Sequence, residues 1–389
     1  MAKELVDLPM KSSGNLKCKL QLISSISEYN IEKRSWIDFL NRPRVRCGLF
    51  TDPRAVEQSV RFDNGDTLVL CKLFRGDRLV ALVPLVLRKS PATLKFGLFT
   101  VCRLFVRSAR IADFEFPVEQ GICPYQVFAV VVDACTRQRS HMDLVSVDSA
   151  PMRADELREY GLCMVDIQAT YTIEFPEDFD AYLQILSPRS RQKIKRTVRR
   201  FESTAEAPVR VVAFRNPTDM NNLHLELTRV WERSWHGRVA NQQVPPVAAL
   251  TTLASQGWVR AYVLFVGDQS VASVLGFQYK HTFYYESPAY DQDWQDRSPG
   301  IVLLYHTLKN LFETDPPERF DFGAGYGQYK QVFGTREEFR GSIQIGITGR
   351  GKLITYLQSY LRVLFKSSRA AFQWTSIPRL IKRRIREGG

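Results

Sequence analysis

A chain of 389 residues that is 44% hydrophobic and 24% charged has room for two domains with cores of their own, which excludes a largely disordered protein. No run of about 18 or more strongly apolar residues occurs, and the first residues lack an apolar signal core, so the sequence reads as a cytoplasmic protein of bacterial type. A formal net charge of +13 points to anionic partners.

Residues 1–17 carry scattered charges and are expected to be disordered, ahead of a first α/β domain over 18–165. In that domain the β-rich run Thr67 to Phe74 meets Gly76-Asp77 and returns as Leu79 to Leu87, which predicts a hairpin. The pattern Leu73-Phe74-x-Gly76-Asp77-x-x-Val80-Ala81 recurs as Leu264-Phe265-x-Gly267-Asp268-x-x-Val271-Ala272, with Leu79-Val80 aligned to Ser270-Val271. Each copy follows a helical segment bearing tryptophan, Trp36 in the first and Trp231 with Trp235 in the second, as a duplicated unit would. The seven cysteines, at 18, 47, 71, 102, 123, 135 and 163, include no Cys-x-x-Cys pair and do not cluster with the five histidines. Buried free thiols are therefore expected, with neither a disulfide framework nor a metal site. Cys123 beside Pro124 has no histidine to activate it.

A second domain is expected over 166–345. Near its start Ser187 and Pro188 form a helix entrance, and Ile194, Val198 and Phe201 mark a narrow apolar stripe. Arg189, Arg191, Lys193, Lys195, Arg196, Arg199 and Arg200 cover the remaining surface, with no acid among them. Such a face suits phosphates or another polyanion as well as it suits plain solvation. No helix-turn-helix or zinc-finger pattern accompanies it, so DNA is not an expected partner.

Three features then follow one another. An aromatic strand, Thr282 to Tyr290, leads to Arg297-Ser298-Pro299-Gly300, where a proline-started helix with Ile301, Leu304, Tyr305, Leu308, Leu311 and Phe312 on one face begins. Its unpaired amides and dipole point at whatever sits before Gly300, and a pyrophosphate fits there. Phe320-Asp321-Phe322 next reads as a short strand running into a loop with glycines at 323, 325 and 327, then Tyr329 and Lys330. Tyr326 and Tyr329 offer phenolic protons and Lys330 a fixed cation, the groups needed to protonate a leaving thiolate and stabilise an oxyanion.

Ala289-Tyr290-Asp291, Ser298-Pro299-Gly300, Asp321-Phe322-Gly323-x-Gly325 and Tyr329-Lys330-x-x-Phe333-Gly334 together resemble the GNAT-related acyltransferases of the CelD type, associated with bacterial polysaccharide biosynthesis and similar to Fem-type aminoacyl transferases. The resemblance is specific from about Phe179 to Gly334 and looser from Trp36 to Asp148. It implies α/β (α+β) architecture in tandem GNAT-like units, each a mixed, mostly antiparallel sheet flanked by helices, with acetyl-CoA or another acyl-CoA as donor and no metal. The family's pyrophosphate loop ends in Gly or Ala where this chain has Val302.

The expected activity is transfer of an acetyl or related acyl group from acyl-CoA to an amine or hydroxyl of a saccharide or lipid-linked saccharide. Arg297, Ser298 and Gly300 are assigned to the donor, Lys330 to electrostatic stabilisation, Tyr329 or Tyr326 to the acid, and the base to Glu286, Asp291 or Asp321. In the first copy the corresponding stretches, Lys95 to Phe99 and Ile111 to Phe114, lack the Ser-Pro-Gly step and the glycine-rich loop, so that copy is read as degenerate and as shaping the acceptor cleft. The alternatives are a Fem-like ligase dependent on aminoacyl-tRNA and a non-catalytic scaffold of a polysaccharide synthase. The tail, 346–389, holds ten basic residues and one acid, hence +9, beside an apolar face from Leu353 to Phe365. It is expected to lie on an anionic membrane at its inner face, with packing onto the second domain as the competing account.

Overall fold

Alternating apolar residues on either side of a Gly-Asp step make a hairpin in each half of the protein, and the rest of each unit is built outward from it. The computed structural model describes residues 16–96, 99–138, 142–235, 237, 244–325 and 327–372. The chain divides into two compact units, Met1–Asp166 with Gly341–Gly389, and Ile167–Arg340.

The first unit runs β1 (Leu16–Ile23), α1 (Ile26–Leu40), β2 (Val45–Arg46), α2 (Pro53–Ser59), β3 (Thr67–Arg75), β4 (Arg78–Phe96), β5 (Phe99–Ile111), β6 (Val118–Glu119), α3 (Pro124–Arg137), β7 (Leu144–Pro151) and α4 (Ala154–Glu159). Strands β1-β3-β4-β5-β7 lie side by side, antiparallel except for the parallel β5–β7 pair. Side chains alternate across β3, so Leu68 and Leu70 meet Tyr29, Trp36 and Phe39 of α1 while Val69 and Cys71 meet Val127, Phe128 and Val131 of α3. Helices thus cover both faces of the sheet. Leu16 and Lys17, expected to be disordered, pair with Arg75 and Phe74, because Leu16, Cys18 and Leu20 all turn to the core. Residues 1–15 lie outside the described residues. No disulfide joins the seven cysteines, of which only Cys71 and Cys135 are buried; Cys163 is exposed, which corrects the expectation of uniformly buried thiols.

The chain passes into the second unit along β8 (Met164–Glu174) and continues through α5 (Phe179–Ile185), α6 (Pro188–Thr204), β9 (Val209–Phe214), α7 (Met220–Arg233), α8 (Val247–Ser255), β10 (Ala261–Val266), β11 (Gln269–Tyr279), β12 (Thr282–Tyr290), α9 (Pro299–Thr314), β13 (Arg319–Asp321) and α10 (Gln328–Phe333). It leaves along β14 (Arg336–Gly346) and ends in α11 (Gly349–Phe372). Strands β9-β10-β11-β12-β13 repeat the order and directions of the first unit, again with only the last pair parallel, and β8 joins β13 antiparallel. The hairpins agree to the residue. Each has a glycine in the left-handed region at its turn, Gly76 at φ +60 and Gly267 at φ +59, and each ladder shifts at the same Leu-Phe step, Leu73/Phe74 and Leu264/Phe265.

The counterpart of α9 in the first unit is α3, not the Lys95–Phe99 and Ile111–Phe114 stretches singled out in the sequence. Pairing with β5 extends β4 to Phe96, which moves every later element of that copy down the chain. α11 belongs to the first unit: Ile354 packs with Ala92, Val106 and Leu144, and Gln358 Nε2 donates to the Thr93 carbonyl at 3.2 Å. That corrects the account in which the tail packs onto the second domain. Among the described residues no helix is long and apolar enough to cross a membrane.

Candidate active site

The site of the second unit forms where two parallel strands part. β12 and β13 pair only from Thr282 with Arg319 to Tyr284 with Asp321, after which β13 ends and β12 runs on to Tyr290. The β11–β12 ladder is also interrupted: Glu286 faces Leu275 and Ala289 faces Ser273, which leaves Ser287 and Pro288 opposite Val274 alone. Pro288 has no N–H to give the ladder, and Ser287 takes a φ of +45, so a bulge falls here. The opening is a cavity of about 570 Å³ walled by Tyr285 to Tyr290, the Ser298-Pro299-Gly300 step, Phe322 to Gly325, Tyr329 and Lys330.

Of the three carboxylates considered as base, Glu286 lines this cavity and the other two do not. Burial first, and the charge of Asp321 second, push the Glu286 carboxyl up to about 7, with Lys330 pulling the other way. A β-carbon on Gly323, whose φ is +68, would stand 3.8 Å from Glu286 Oε1, so the glycine loop passes close by the carboxyl. Asp321 instead caps that loop, accepting from the Gly323 amide at 2.8 Å, while Arg319 and Arg340 approach its other oxygen at 3.5 and 3.6 Å. Asp291 turns away to an ion pair with Arg233 at 2.7 Å and accepts from the Asp293 amide at 3.1 Å. The parity of β12 and its bulge separate Glu286 from Asp291.

Lys330 is buried, and its Nζ donates to the carbonyl oxygens of Gly323 and Ala324 at 3.0 Å each. Burial lowers its pKa below the ordinary lysine value, and Asp321 and Glu286 oppose that shift by favouring the ammonium. Burial and the nearby Glu286 push the Tyr329 hydroxyl up to about 12, so it is a protonated donor at neutral pH. Tyr326 lies outside the described residues.

At the other end of the site α9 begins at Pro299, preceded by Ser298 in the left-handed region at φ +57. Ser298 lines both the cavity and a neighbouring groove of about 560 Å³, whose charged lining is Arg189, Lys193, Arg196 and Arg200 of α6 together with Arg297 and one acid, Asp296. α6 starts at Pro188 with the Ser187 hydroxyl accepting from the Ser190 amide, and it buries Ile194, Val198 and Phe201, which turns the arginines outward to the groove. Arg297 does not line the cavity that holds Glu286; it lies over the Trp294 ring at 4.8 Å and faces the groove. Gly300 needs no unusual backbone angle, and a β-carbon there would meet Tyr290 at an ordinary 3.7 Å, so its value is open space. Val302 is fully buried in the core of the unit, where its bulk is accommodated.

Residues 188–331 match the acetyltransferase (GNAT) domain family. The chain carries a GNAT-type acyltransferase domain. The matched span holds α6, the bulged strand, the start of α9 and Lys330, so the whole of the cavity and groove falls within this GNAT domain or at its edge. Among solved structures the chain is similar to FemX, at 10% identity and a TM-score of 0.54 over 80% of this chain and 95% of that one. It is also similar to the C-terminal domain of a putative lysylphosphatidylglycerol synthetase from Agrobacterium fabrum, at 11% identity and a TM-score of 0.53 over 86% and 97%. At such identities the likeness is one of fold. No curated protein matches the sequence.

Gln295 and Ser273 also line the GNAT-domain cavity, and nothing in the sequence singled them out. Gln295 lies in a short turn of helix, Gln292–Arg297, whose signal was Asp291 as its cap. Ser273 enters because the ladder shift beside it opens the sheet.

Proposed function

We propose that the GNAT domain transfers an acetyl or related acyl group from acyl-CoA to an amine or hydroxyl of a saccharide or saccharide precursor. The observation that carries this reading is Glu286, a carboxyl held near neutrality in a cavity that shares Ser298 with a basic groove. In it the coenzyme's pyrophosphate occupies the groove, against the amides at the start of α9 and the cations of α6, and the thioester enters the cavity. Glu286 takes a proton from the acceptor as the new N–C or O–C bond forms, and the C–S bond of the thioester breaks. Tyr329 gives its hydroxyl proton to the departing thiolate and is reprotonated from Glu286, so one proton passes from acceptor to coenzyme. Lys330 holds the glycine loop and adds a positive field to the developing oxyanion. The saccharide acceptor, and a place in polysaccharide or cell-envelope biosynthesis, rest on the resemblance to CelD-type enzymes.

Calorimetric titration with acetyl-CoA tests the donor, and mass spectrometry of glycans with and without the enzyme tests the acceptor. A second reading, a Fem-like ligase using aminoacyl-tRNA, is favoured by one feature: the basic face of α6 continues past the groove through Arg191, Lys195 and Arg199. That is more cation than one coenzyme requires. Salt-sensitive tRNA binding together with absent acetyl-CoA binding selects it.

A further inference from the structure

We propose that the first unit docks on an anionic lipid surface through a two-stranded arm and the helix that backs it. β3 pairs with β4 only as far as Leu87, and β7 pairs with β5 only from Ser108, so Arg88–Phe96 and Phe99–Arg107 extend beyond both neighbours as a hairpin arm. A lone hairpin is marginal in water. Here α11 covers one face: Ile354 meets Ala92, Val106 and the half-buried Leu104, and Phe365 stands edge-on to Phe96 at 5.4 Å.

That cover leaves large apolar side chains of the arm open. Phe105 pairs with Pro91 on the face away from α11, Val101 sits at the shift of the β4–β5 ladder and Phe99 pairs with Phe96 at the tip, and they are 57%, 59% and 77% exposed. On α11 the outward stripe Leu353, Tyr356, Tyr360 and Val363 keeps the three-and-four spacing of one helix face and is also about half exposed. Large apolar side chains clustered this way mark an interaction surface.

Charge selects the partner. β4, β5 and α11 together contain twelve lysines and arginines and no aspartate or glutamate. Lys95, Arg103 and Arg107 on the arm, and Lys352 on the helix, form no ion pair among the described residues. A second copy of the chain would bring these like charges together, and residues 373–389 are themselves basic, with five cations to one acid. RNA would answer the charge but not the aliphatic Val101, Leu353 and Val363, which offer no ring for a base to stack on. An anionic bilayer answers both, taking the apolar groups at the headgroup boundary while the long cationic side chains reach the phosphates. This surface belongs to the first unit and stands independently of the acyl-transfer reading.

The test is co-sedimentation of the full chain with vesicles of phosphatidylcholine, with and without phosphatidylglycerol, at low and high salt. The chain is expected to sediment with the mixed vesicles at low salt, to be released as salt rises, and to leave phosphatidylcholine alone largely unbound. Phe99→Ser with Phe105→Ser, and separately Tyr356→Ser with Val363→Ser, change exposed residues and are expected to keep the melting temperature while losing most vesicle binding. Lys95→Glu with Arg103→Glu should do the same. Absence of binding at low salt overturns the proposal. Undiminished binding by the serine variants overturns it too, because adsorption by charge alone would ignore them. So does concentration-dependent self-association that the serine variants abolish, which would assign the surface to a second copy.

Discussion

Lys330 donates from its buried ammonium to the main-chain carbonyl of Gly323 at 3.0 Å, so the cation in the cavity wall also ties down the glycine loop. The Ala324 carbonyl takes a second of its N–H groups at the same distance. Lys330→Ala is therefore expected to act twice. It removes the positive field, lowering turnover by roughly ten- to a thousandfold by analogy with loss of an oxyanion donor, and it leaves two carbonyls without their donor, lowering the melting temperature. Lys330→Met keeps the packed stem and should regain part of the stability without regaining turnover. Steady-state kinetics and thermal melts on both variants separate the effects; near-normal turnover in either one removes Lys330 from the chemistry.

Glu286 gives the enzyme a pH signature. With its carboxyl near 7, the free enzyme gains its base as pH rises through that value, so kcat/KM should climb between about pH 6 and 8 and then level. Glu286→Gln should lose this limb and most of the activity. Stability runs in the opposite sense. The folded carboxyl binds its proton more tightly than the unfolded one, so between the ordinary glutamate value and about 7 the folded state carries the extra proton, and stability falls as pH rises through that window. The Gln variant should flatten that slope. A pH profile with no inflection near 7 that the substitution abolishes would reassign the base.

Much of this site was legible because its parts lie close together in sequence. The bulged strand, the Ser-Pro-Gly step and the lysine loop span fewer than fifty residues, and proline starts, glycine loops and aromatic alternation are local signals. The α6 helix was legible for the same reason, since Ser187, Pro188 and the Ile194, Val198, Phe201 stripe need no distant partner. What escaped depended on pairing. Whether Glu286, Asp291 or Asp321 faces the cavity follows from the register against Leu275 and Ser273 and from the bulge between them, which composition does not encode. The place of α3 as the counterpart of α9 was hidden by the long pairing of β4 with β5. The seat of α11 rests on contacts such as Gln358 to Thr93, 265 residues apart, where no local pattern says which unit the helix will join.

The groove yields a prediction about binding alone. Arg196 and Arg200 face it from α6, and neither is paired in an ion bridge among the described residues. Arg196→Glu with Arg200→Glu should weaken acetyl-CoA binding by roughly tenfold or more at low salt, converging toward the parent as salt screens the interaction. Gly300→Val should weaken binding as well by filling the space before α9, and since a β-carbon at this position meets only ordinary contact, its melting temperature should stay close to the parent's. Titration calorimetry reads both. Unchanged affinity in the Gly300 variant would move the pyrophosphate elsewhere.

Asp291 offers the converse case, a carboxylate whose loss should be felt in stability and not in chemistry. It is 1% exposed, its side chain meets Arg233 at 2.7 Å and accepts from the Asp293 amide, and its own amide donates to the Val271 carbonyl at 2.9 Å, which pins the end of β12 to the hairpin. Asp291→Ala strands a guanidinium that is partly open to water and uncaps the turn leading to Ser298. The cost should be about 1–3 kcal/mol, the range for leaving a buried polar partner unsatisfied, rather than the larger penalty of a fully enclosed pair. Turnover per folded molecule should fall by less than about tenfold, against the far larger loss expected at Glu286. Chemical denaturation alongside kinetics, corrected for the folded fraction, decides it: a variant as stable as the parent but catalytically dead would return Asp291 to the candidates for the base.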